Sequence, residues 1–438
     1  MKVLVIGSGG REHAIAWKLS QSPRLEKLYA APGNAGIAEV AQLVDIAAKD
    51  QAGLLKFCKK ESVDLVLVGP EAPLTEGIVD RFEKEGLTIF GPTKFAAQLE
   101  GSKVFAKTMM KKLSIPTGEF EVFTSAEKAM DYVAKKGIPI VVKVDGLAGG
   151  KGVVVAHSLP KAMEAIHLDM VKKVFGKAGE KVVVEECLEG EEASVIGITD
   201  GTTVRLFASS QDHKRIFEGD HGPNTGGMGA YSPAPVVTPE IEKEILEKVF
   251  MPIAREFREL GHPFKGFLYA GIMVTPQGVR VLEFNVRLGD PETQVLLPRL
   301  KNDLLEVLLA AAGGRLSEVK LEWKDEDCVC VVIASQGYPE EYETGKKIAG
   351  VSTARENPDI QVFHAGTKQK DGHLVTAGGR VLNVVGSGRG IFEALSKTYH
   401  AVDKLFFDKM YYRKDIGYKA ASVSRRAPGT RAPEHQST

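Results

Sequence analysis

A glycine-rich segment between two lysines is the part of the sequence best suited to hold a polyphosphate. VVKVDGLAGGKGVVV spans residues 141–155 and carries Lys143 and Lys151 on its two arms. Glycines let the backbone come close to phosphate oxygens, and two ammonium groups can offset the negative charge. The P-loop pattern is absent because Gly152, rather than Ser or Thr, follows Lys151. We interpret the segment as a hairpin that can close over a nucleoside triphosphate, although alone such a hairpin is more often a simple turn.

A second segment has the residue types of a magnesium site. VLEFNVRLGDPETQ, residues 281–294, places Glu283 and Asn285 two positions apart, so both side chains project from the same face of a strand. Mg²⁺ accepts a few oxygen ligands together with nucleotide phosphates and water. The alternative is an exposed edge with solvated polar residues, but Glu283 lies between Leu282 and Phe284 beside an apolar run. The pattern therefore favours a metal pair.

An acidic strand lies between these two segments. VVVEECLEGEEAS, residues 182–194, is an apolar run that ends in carboxylates. Backbone groups of residues 186–188 are suited to contact a purine, and the Glu191 carboxylate is suited to hold its ribose.

The N-terminal strand leads into a glycine-rich loop. MKVLVIGSGGREHA runs from an apolar strand into glycines at the start of a helix, where backbone N–H groups can receive a phosphate. The dinucleotide pattern GxGxxG is incomplete, because Glu12 stands in place of its third glycine. A nucleotide-sugar phosphate is therefore favoured over NAD. The loops APGNAG (31–36) and GPEAPL (69–74) also follow strands, and Glu71 could hold ribose hydroxyls.

These segments must be positioned by several domains, since a chain of 438 residues predicts about three. Residues 2–92 alternate strands with amphipathic helices, which is typical of a parallel βαβ domain with ligand sites at the carboxyl ends of its strands. Its first helix is expected from about His13 to Gln21. Antiparallel hairpins are expected from 102 to 321 and a β-rich module from 328 to 419. The tail from Ala420 has no apolar period and is expected to be disordered.

The composition excludes several classes of protein. Lys plus Arg and Asp plus Glu both total 57, so no overall charge favours a nucleic acid or an anionic membrane. The four cysteines are too few for a disulfide framework, and Cys328 and Cys330 lie in a run typical of a buried strand. The sequence shows no signal peptide and no apolar stretch of about 18 residues. We expect a soluble, cytoplasmic protein without nucleic-acid or membrane partners.

Together the motifs resemble the phosphoribosylamine–glycine ligase family of the ATP-grasp superfamily over residues 1–419. The strings that carry the resemblance are GSGGREHA, APGNAG, GPEAPL, GPT, QLEGSK, KVDGLAGGKGV, EGEEAS, SQDHKR, GPNTGGMGAYSPAP, GFLYAGIM, EFNVRLGDPETQ, FHAGT and YRKDIGY. SQDHKR and GPNTGGMGAYSPAP are far more specific than any single glycine pattern. The resemblance implies a multidomain α/β and α+β fold. Its parts are a βαβ substrate-phosphate domain (1–101), an ATP-grasp domain (102–325) with a mobile lid at about 122–190, a small β-rich domain (326–419) and a tail (420–438).

The resemblance also implies an activity: ATP-dependent ligation of glycine to 5-phosphoribosylamine through a glycyl phosphate, with Mg²⁺ or Mn²⁺, by a monomer or weak homodimer. Arg287 is then expected at the acyl phosphate, with Asp212, Lys214 and Asp290 near glycine and the reacting amine. Expected nucleotide contacts are Lys103, Lys143, Gly149, Gly150, Lys151, Gly152, Glu185, Glu186, Leu188 and Glu191. Expected substrate contacts are Gly9, Gly10, Arg11, Glu12, Asn34, Glu71, Pro73, Asn224 and Gly289, and the expected metal ligands are Glu283 and Asn285.

Other functions stay open at this point. An ATP-grasp carboxylase would activate bicarbonate instead of glycine, and a nicotinamide dehydrogenase is suggested only by GSGG after the first strand. A nucleotide sensor would not need a metal pair beside an acceptor site. Because an acyl phosphate forms by direct attack of a substrate carboxylate, catalysis would be mostly positioning and charge neutralisation. We therefore interpret His213 as a residue of a charged loop rather than as a proton-transfer group.

Overall fold

The computed structural model describes residues 1–148 and 152–426. Gly149, Gly150 and Lys151, which belong to the predicted phosphate hairpin, lie outside the described residues, as does the tail from residue 427.

The N-terminal domain is built on a parallel sheet with the strand order β3–β2–β1–β4–β5, as its alternating pattern predicts. Alternate residues of the first strand face different cores, Leu4 on one side and Val5 on the other, which explains its unbroken apolar run. Its elements are β1 (Lys2–Gly7), α1 (Gly10–Leu19), β2 (Lys27–Pro32), β3 (Gln42–Leu43), α2 (Gln51–Glu61), β4 (Leu65–Val68), α3 (Glu71–Thr75), α4 (Ile78–Lys84) and β5 (Ile89–Phe90).

Helix α1 begins at Gly10, three residues before the predicted start at His13. The reason is a capping contact, because the Glu12 side chain accepts a hydrogen bond from the Gly9 backbone N–H at 2.6 Å. The polar residues of the loop therefore start the helix, and the apolar period from which the start was predicted begins only later.

The central region contains two antiparallel sheets. The lid sheet has the order β6–β9–β7–β8, and β7 and β8 form the hairpin predicted around the glycine-rich segment. The second sheet has the order β11–β10–β16–β17, and its β10–β11 pair is the other predicted hairpin. The elements up to β10 are α5 (Gln98–Gly101), α6 (Lys103–Lys112), β6 (Phe120–Phe123), α7 (Ala126–Lys136), β7 (Ile140–Val144), β8 (Val153–Ala156), α8 (Leu159–Ile166), β9 (Val182–Glu186) and β10 (Glu191–Asp200). Those that follow are β11 (Val204–Leu206), β12 (Gln211–Asp212), β13 (Arg215–Phe217), β14 (His221–Asn224), β15 (Gly229–Ser232), α9 (Pro239–Ile245), α10 (Met251–Glu259), β16 (Lys265–Thr275), β17 (Gly278–Asn285), α11 (Glu292–Leu296) and α12 (Leu304–Ala312).

The C-terminal sheet takes strands from two parts of the chain. Its order is β12–β15–β18–β22–β19, with β23 also paired to β18, so that two strands come from the central region. Cys328 and Cys330 are buried on β18, as predicted. The remaining elements are β18 (Asp327–Ser335), α13 (Val351–Ala354), β19 (Ile360–His364), β20 (Thr367–Lys370), β21 (His373–Thr376), β22 (Arg380–Gly388), α14 (Ile391–Val402), β23 (Met410–Tyr411) and α15 (Tyr418–Arg426).

Helix α15 corrects the expectation of disorder from Ala420 onward. Ala420 and Ala421 are buried in the same core cluster as Ile391 and Ala394 of α14, so this part of the tail is ordered by packing. Two small apolar residues were too weak a signal to predict a helix in a segment rich in Arg and Ser. Within residues 1–148 and 152–426, no helix is long and apolar enough to cross a bilayer.

Candidate active site

The root of the lid hairpin carries a buried ion pair. Lys143 on β7 and Glu185 on β9 lie on neighbouring strands, with Val141 opposite Glu185 in the register, so the two charged side chains are diagonal neighbours on one face. They form a salt bridge, and both side chains are almost completely buried. Lys143 Nζ also donates a hydrogen bond to the Leu282 carbonyl on β17 at 3.2 Å. The described part of the lid therefore contacts the strand that carries the predicted metal ligands.

Lys107 on α6 completes this cluster, and sequence reasoning missed it. Its ammonium forms a second salt bridge to Glu185 and donates to Thr117 Oγ1 at 2.7 Å. Burial lowers the pKa of Lys107 to about 8, although Glu185 opposes the shift. The available signal was spacing, because Lys107 follows Lys103 by one helical turn and so projects from the same face of α6.

The predicted metal ligands lie on β17 and face the same side of the sheet, since their partners on β16 are Gly271 and Tyr269. Glu283 Oε2 is 2.9 Å from Lys103 Nζ, and Lys103 is the main cause of a Glu283 pKa held well below its usual range. Asn285 Oδ1 accepts a long hydrogen bond from an Arg287 nitrogen at 3.4 Å.

An ionised carboxylate and an amide oxygen fit a hard divalent cation. Across residues 1–148 and 152–426, no group of three or more His, Cys, Asp or Glu residues could hold a metal. A cation at Glu283 and Asn285 would therefore need further oxygen ligands from phosphate groups or water. This is the ligand set that the sequence suggested for Mg²⁺.

Arg287 follows β17 by two residues and lies between two carboxylates. One Nη atom is 2.9 Å from Glu100 Oε1, and its Nε is 3.4 Å from Glu71 Oε2. Burial alone would lower the pKa of Arg287, but Glu100 and Glu71 together raise it. Glu100, in the QLEGSK string, also accepts from the Val286 N–H at 2.8 Å, and sequence reasoning did not assign it to the site. Arg287 is thus a fixed cation beside the metal strand.

The N-terminal loop differs from the predicted phosphate loop. Glu12 fills its centre: a Cβ built on Gly7 or Gly69 would lie 2.6 or 2.0 Å from atoms of the Glu12 side chain. The Gly9 N–H, expected to receive a phosphate, is bonded to Glu12, and Arg11 Nε donates to the same carboxylate at 2.6 Å. These glycines therefore make room for a carboxylate. Arg11 Nη1 donates to the Leu288 carbonyl at 3.1 Å, which leaves Nη2 as the guanidinium nitrogen without a hydrogen bond in the described structure.

Asn34 has a structural role in the described molecule. Its amide nitrogen donates to the carbonyls of Ser8 and His364, each at 2.8 Å. Its oxygen accepts from the N–H groups of Gly36 and Ile37, each at 2.9 Å. All four hydrogen-bonding positions of the amide are used, so Asn34 joins the N-terminal loop to the C-terminal sheet and has no group left for a substrate.

Asp212 and Lys214 lie on the two sides of His213 next to β10. Lys214 Nζ is 3.1 Å from Glu192 Oε2, and Glu192 and Asp212 raise the pKa of Lys214 well above its usual range although burial lowers it. Burial raises the pKa of Asp212 to about 7, with Lys214 opposing the shift. Lys214 also helps to depress the pKa of Glu283, and Glu283 helps to raise that of Asp212. Asp212, Lys214 and Glu283 on β17 are therefore close enough to affect one another's charge.

His213 points away from this pair. Its ring lies 5.8 Å from the ring of Tyr231, and burial lowers its pKa to about 4, with Arg413 as the next cause. A neutral, buried imidazole on the far side of the strand fits the loop-residue interpretation better than proton transfer.

Asp290 lies at the N-terminal loop. Its Oδ2 would be 3.2 Å from a Cβ built on Gly9, and it pairs with Arg380 at 3.4 Å. Gln294 donates to its other oxygen at 2.7 Å. Burial raises the pKa of Asp290, but Arg380 and Arg11 outweigh that effect and keep it low. Asp290 is therefore an ionised carboxylate beside Arg11.

The predicted adenine contacts lie at the end of β9. Glu185 faces inward, whereas Glu186 is exposed and its backbone N–H is already bonded to the Glu119 carbonyl at 2.8 Å. Leu188 follows in the connection to β10, and Glu191, at the start of β10, is 3.3 Å from Gln211 Nε2. The Glu186 N–H is thus occupied, and its carbonyl and residues 187–190 are the groups left for a purine.

The other predicted residues are distributed around these centres. Pro73 is buried in α3, two residues after Glu71. Gly289 is packed against Glu292, whose carboxylate would be 2.4 Å from an added Cβ. Asn224 ends β14 opposite Arg215. Gly152 is buried at the start of β8, whereas Gly149, Gly150 and Lys151 lie outside the described residues.

Comparison with known proteins agrees with this geometry. The ATP-grasp (A) domain model of phosphoribosylglycinamide synthetase matches residues 101–293, which identifies an ATP-grasp protein. Biotin carboxylase from Campylobacter jejuni shares the fold, with a TM-score of 0.70 over 97% of this chain and 96% of that one at 15% identity. The N and C domain models match residues 1–100 and 328–419, so the chain belongs to the phosphoribosylglycinamide synthetase family.

Individual relatives cover nearly the whole chain. The phosphoribosylamine–glycine ligase of Brucella melitensis is 51% identical over 420 residues, which is 96% of this chain and 98% of the relative. The crystal structure of phosphoribosylamine–glycine ligase from Thermotoga maritima has a TM-score of 0.82 at 33% identity, covering 95% of this chain and 100% of that one. The predicted family and multidomain fold class are confirmed.

Proposed function

We propose that this protein ligates glycine to 5-phosphoribosylamine with ATP, as the names of its relatives indicate, in purine biosynthesis. The observation that carries the proposal is that the β7 strand of the hairpin and helix α6 both contact β17, the strand that bears the predicted metal ligands. Lys143 on β7 contacts the Leu282 carbonyl, and Lys103 on α6 contacts Glu283. These contacts bring two cations and a predicted metal ligand together at β17, which supports a site there for a triphosphate and its cation.

The reaction proceeds in two displacements. A glycine carboxylate oxygen attacks the γ-phosphorus of ATP, the bond to ADP breaks, and glycyl phosphate forms. The amine nitrogen of phosphoribosylamine then attacks the glycyl carbonyl carbon, phosphate leaves, and the nitrogen loses a proton. Phosphate groups carry charge in both steps, so fixed cations and a bound divalent ion lower the barriers.

The chain's own residues divide this work. Lys103, Lys143 and Lys151 bind nucleotide phosphates, and Glu283 and Asn285 hold Mg²⁺, with Mn²⁺ as a substitute. A biotin carboxylase domain of the same fold from Hydrogenobacter thermophilus was solved with MgADP. When bound, the ion would act as a Lewis acid and neutralise negative charge on the phosphate oxygens.

The acceptor side uses a second group of residues. Arg287 contacts the acyl phosphate, since it is a largely enclosed cation, 18% exposed, next to Asn285. Lys214, Asp212 and Asp290 orient glycine and the incoming amine. Arg11 and Glu71 hold the phosphoribosylamine, with Glu71 at its ribose hydroxyls. The low pKa of Asp290 makes it an acceptor for hydroxyl or ammonium donors.

A phosphate-release assay tests the proposal. The complete mixture contains ATP, Mg²⁺, glycine and phosphoribosylamine, and each component is omitted in turn. Release is expected to need all four for multiple turnover, with Mn²⁺ able to replace Mg²⁺. Release that continues unchanged without glycine would contradict the proposal, and release with bicarbonate and aminoimidazole ribonucleotide instead would indicate a carboxylase.

We further propose that the protein works in the cytoplasm on small molecules alone, as a monomer or weak homodimer. The equal numbers of acidic and basic residues support this, because they provide no net charge for a polyanion. Sedimentation across a range of concentrations measures the assembly state directly.

A further inference from the structure

The residues around Asp212 and Lys214 lead into a weakly supported hairpin. We name residues 212–225 the acceptor hairpin. Its first residue, Asp212, ends β12 and is paired with Ala230 of β15, whereas β13 and β14 pair only with each other in the described structure. A two-stranded hairpin is marginally stable on its own. Phe217 near its tip is 52% exposed and lies edge-on to Tyr411, and the neighbouring Ile216 packs only in a small cluster with Met228 and Ala334. Something else must fix the hairpin if it is to position its charged residues.

Arg413, from the YRKDIGY string, supplies that support. Its side chain is 1% exposed, and no role was assigned to it from the sequence. One Nη atom donates to the Arg215 carbonyl at 3.0 Å and to Asp220 Oδ1 at 2.9 Å, both on the acceptor hairpin. Its Nε and other Nη donate to the two oxygens of Asp415 at 2.8 and 2.6 Å. The guanidinium is therefore a rigid fork between the C-terminal segment and the hairpin.

Three neighbouring residues of the C-terminal segment also bind the acceptor hairpin. Asp415 accepts from the Gly219 N–H at 2.9 Å, and the Tyr411 hydroxyl donates to the Ile216 carbonyl at 2.9 Å. Lys419 pairs with Asp220 at 2.9 Å. We name residues 411–419 the C-terminal clamp. It contacts the hairpin along β13 and at the following turn.

The contacts of Arg413 can fix the position of Lys214 because the two arms of the hairpin are hydrogen-bonded to each other there. The Thr225 N–H and hydroxyl both donate to the Lys214 carbonyl, at 2.7 and 2.8 Å, so the second arm fixes the first at Lys214. Arg215, whose carbonyl Arg413 binds, is the next residue. A displacement of Arg215 would therefore move Lys214 relative to Glu192, its partner on β10.

We propose that Arg413 is a positioning residue for the ligation reaction: the C-terminal clamp holds the acceptor hairpin so that Lys214 keeps its place beside Asp212, which β15 fixes, and both are aligned with glycine and the amine. The inference rests on the proposed function for the identity of those substrates. It assigns to the C-terminal clamp a role in the acceptor half of the site and none in nucleotide binding.

The test compares four variants of the full chain. Arg413→Gln removes the charge and the fork, and Arg413→Lys keeps the charge but loses the paired hydrogen bonds. Tyr411→Phe removes one hydrogen bond to the hairpin and preserves packing, so it remains informative if Arg413→Gln does not fold. Arg24→Gln is the matched control, because Arg24 pairs with Glu306 on the surface and both side chains are about half exposed.

Glycine-dependent phosphate release and ATP binding by equilibrium dialysis are measured for each variant. Arg413→Gln is expected to lower kcat/KM for glycine by roughly 10- to 100-fold, with ATP affinity within about twofold of the parent, because small misplacements of reacting groups are costly. Arg413→Lys should recover part of the loss, and Tyr411→Phe should shift the same constant in the same direction by a few fold.

Two results would overturn the proposal. One is Arg413→Gln and Tyr411→Phe matching Arg24→Gln in every constant. The other is a loss shared equally by ATP affinity and glycine kinetics and explained by a lower folded fraction. A parent protein that shows no glycine-dependent release would instead refute the proposed function, so the two failures can be told apart.

Discussion

The lid root and the N-terminal loop both concentrate charge, but they use it differently. At the lid root, Lys107, Lys143 and Glu185 leave two ammonium groups for one carboxylate, and Lys103 and Glu283 form a further pair beside them. In the N-terminal loop, Glu12 satisfies both Arg11 and the Gly9 N–H. The first region has excess cationic charge, whereas the second is internally matched.

This difference separates a region whose charge requires a bound anion from a region whose shape is held without a ligand. Excess buried cationic charge is unfavourable unless an anion offsets it, so the lid root is adapted to receive phosphate groups. A matched carboxylate and guanidinium hold a loop in one shape whether or not a ligand is present. Substitutions in the two regions should therefore have different consequences.

The largest expected effect is on rate. Lys143→Ala should reduce kcat by about 10² to 10³, on the order of 3 to 4 kcal/mol at the transition state, because it removes a fixed cation next to the transferred phosphate. Steady-state phosphate release checks this. Lys161→Ala is the control, since Lys161 lies in the same lid, on α8, in an exposed pair with Glu164. A Lys143→Ala protein with parental turnover would remove the distinction between the two regions.

A smaller effect, on stability, is expected in the loop. Glu12→Gln leaves the buried Arg11 charge without its partner and should lower the unfolding free energy of the N-terminal domain by about 3 kcal/mol. Urea unfolding followed by the fluorescence of Trp17 in α1 measures it, in a background with Trp323→Phe. Glu306→Gln, in an exposed pair, should change the value by less than about 0.5 kcal/mol. Equal losses for both variants would show that the loop pair is no stronger than a surface pair.

The smallest expected effect is a loss of folding stability at acidic pH. Near the loop, the His364 N–H donates to His13 Nδ1 at 2.7 Å. Burial, with Arg355 as the next cause, lowers the pKa of His364 to about 3, and burial also lowers that of His13. Because the unfolded chain binds these protons more readily, the stability from neutral His364 is complete above its ordinary pKa of 6.5 and is lost as the pH falls toward 3.

By pH 5 this loss amounts to about 2 kcal/mol for His364. His364→Gln cannot be protonated, so its unfolding temperature should fall less between pH 7 and pH 5 than that of the parent. His157→Gln, at an exposed position, is the control and should behave like the parent. Parallel temperature curves for the parent and His364→Gln would contradict the assignment of acid sensitivity to this site.

The strands and hairpins were predictable because their signals are local. The apolar run of β1 and the β7–β8 hairpin follow from periodicity and glycine placement, and the spacing of Glu283 and Asn285 fixes their common face. The resemblance of the motifs to a known family supplied the domain order.

What could not be predicted depends on contacts between distant segments. The spacing of Lys107 from Lys103 indicates a shared helix face, but it does not reveal the salt bridge to Glu185, which lies 78 positions later in the sequence. Glu12 fills a space bounded by Gly69, and Asn34 is bonded to His364, so their structural roles are visible only after folding. Arg413 lies in the YRKDIGY string, but its contacts with Arg215 and Asp220 span 198 and 193 positions and are visible only after folding.

The C-terminal sheet has a consequence for biosynthesis of the chain. Strand β15, from residues 229–232, pairs with β18 and stands in the same sheet as β22, which ends at Gly388. During translation, β15 must wait for about 150 further residues before the sheet can close. A ribosome that stops early therefore releases a product with an unpaired strand edge, which is prone to aggregate.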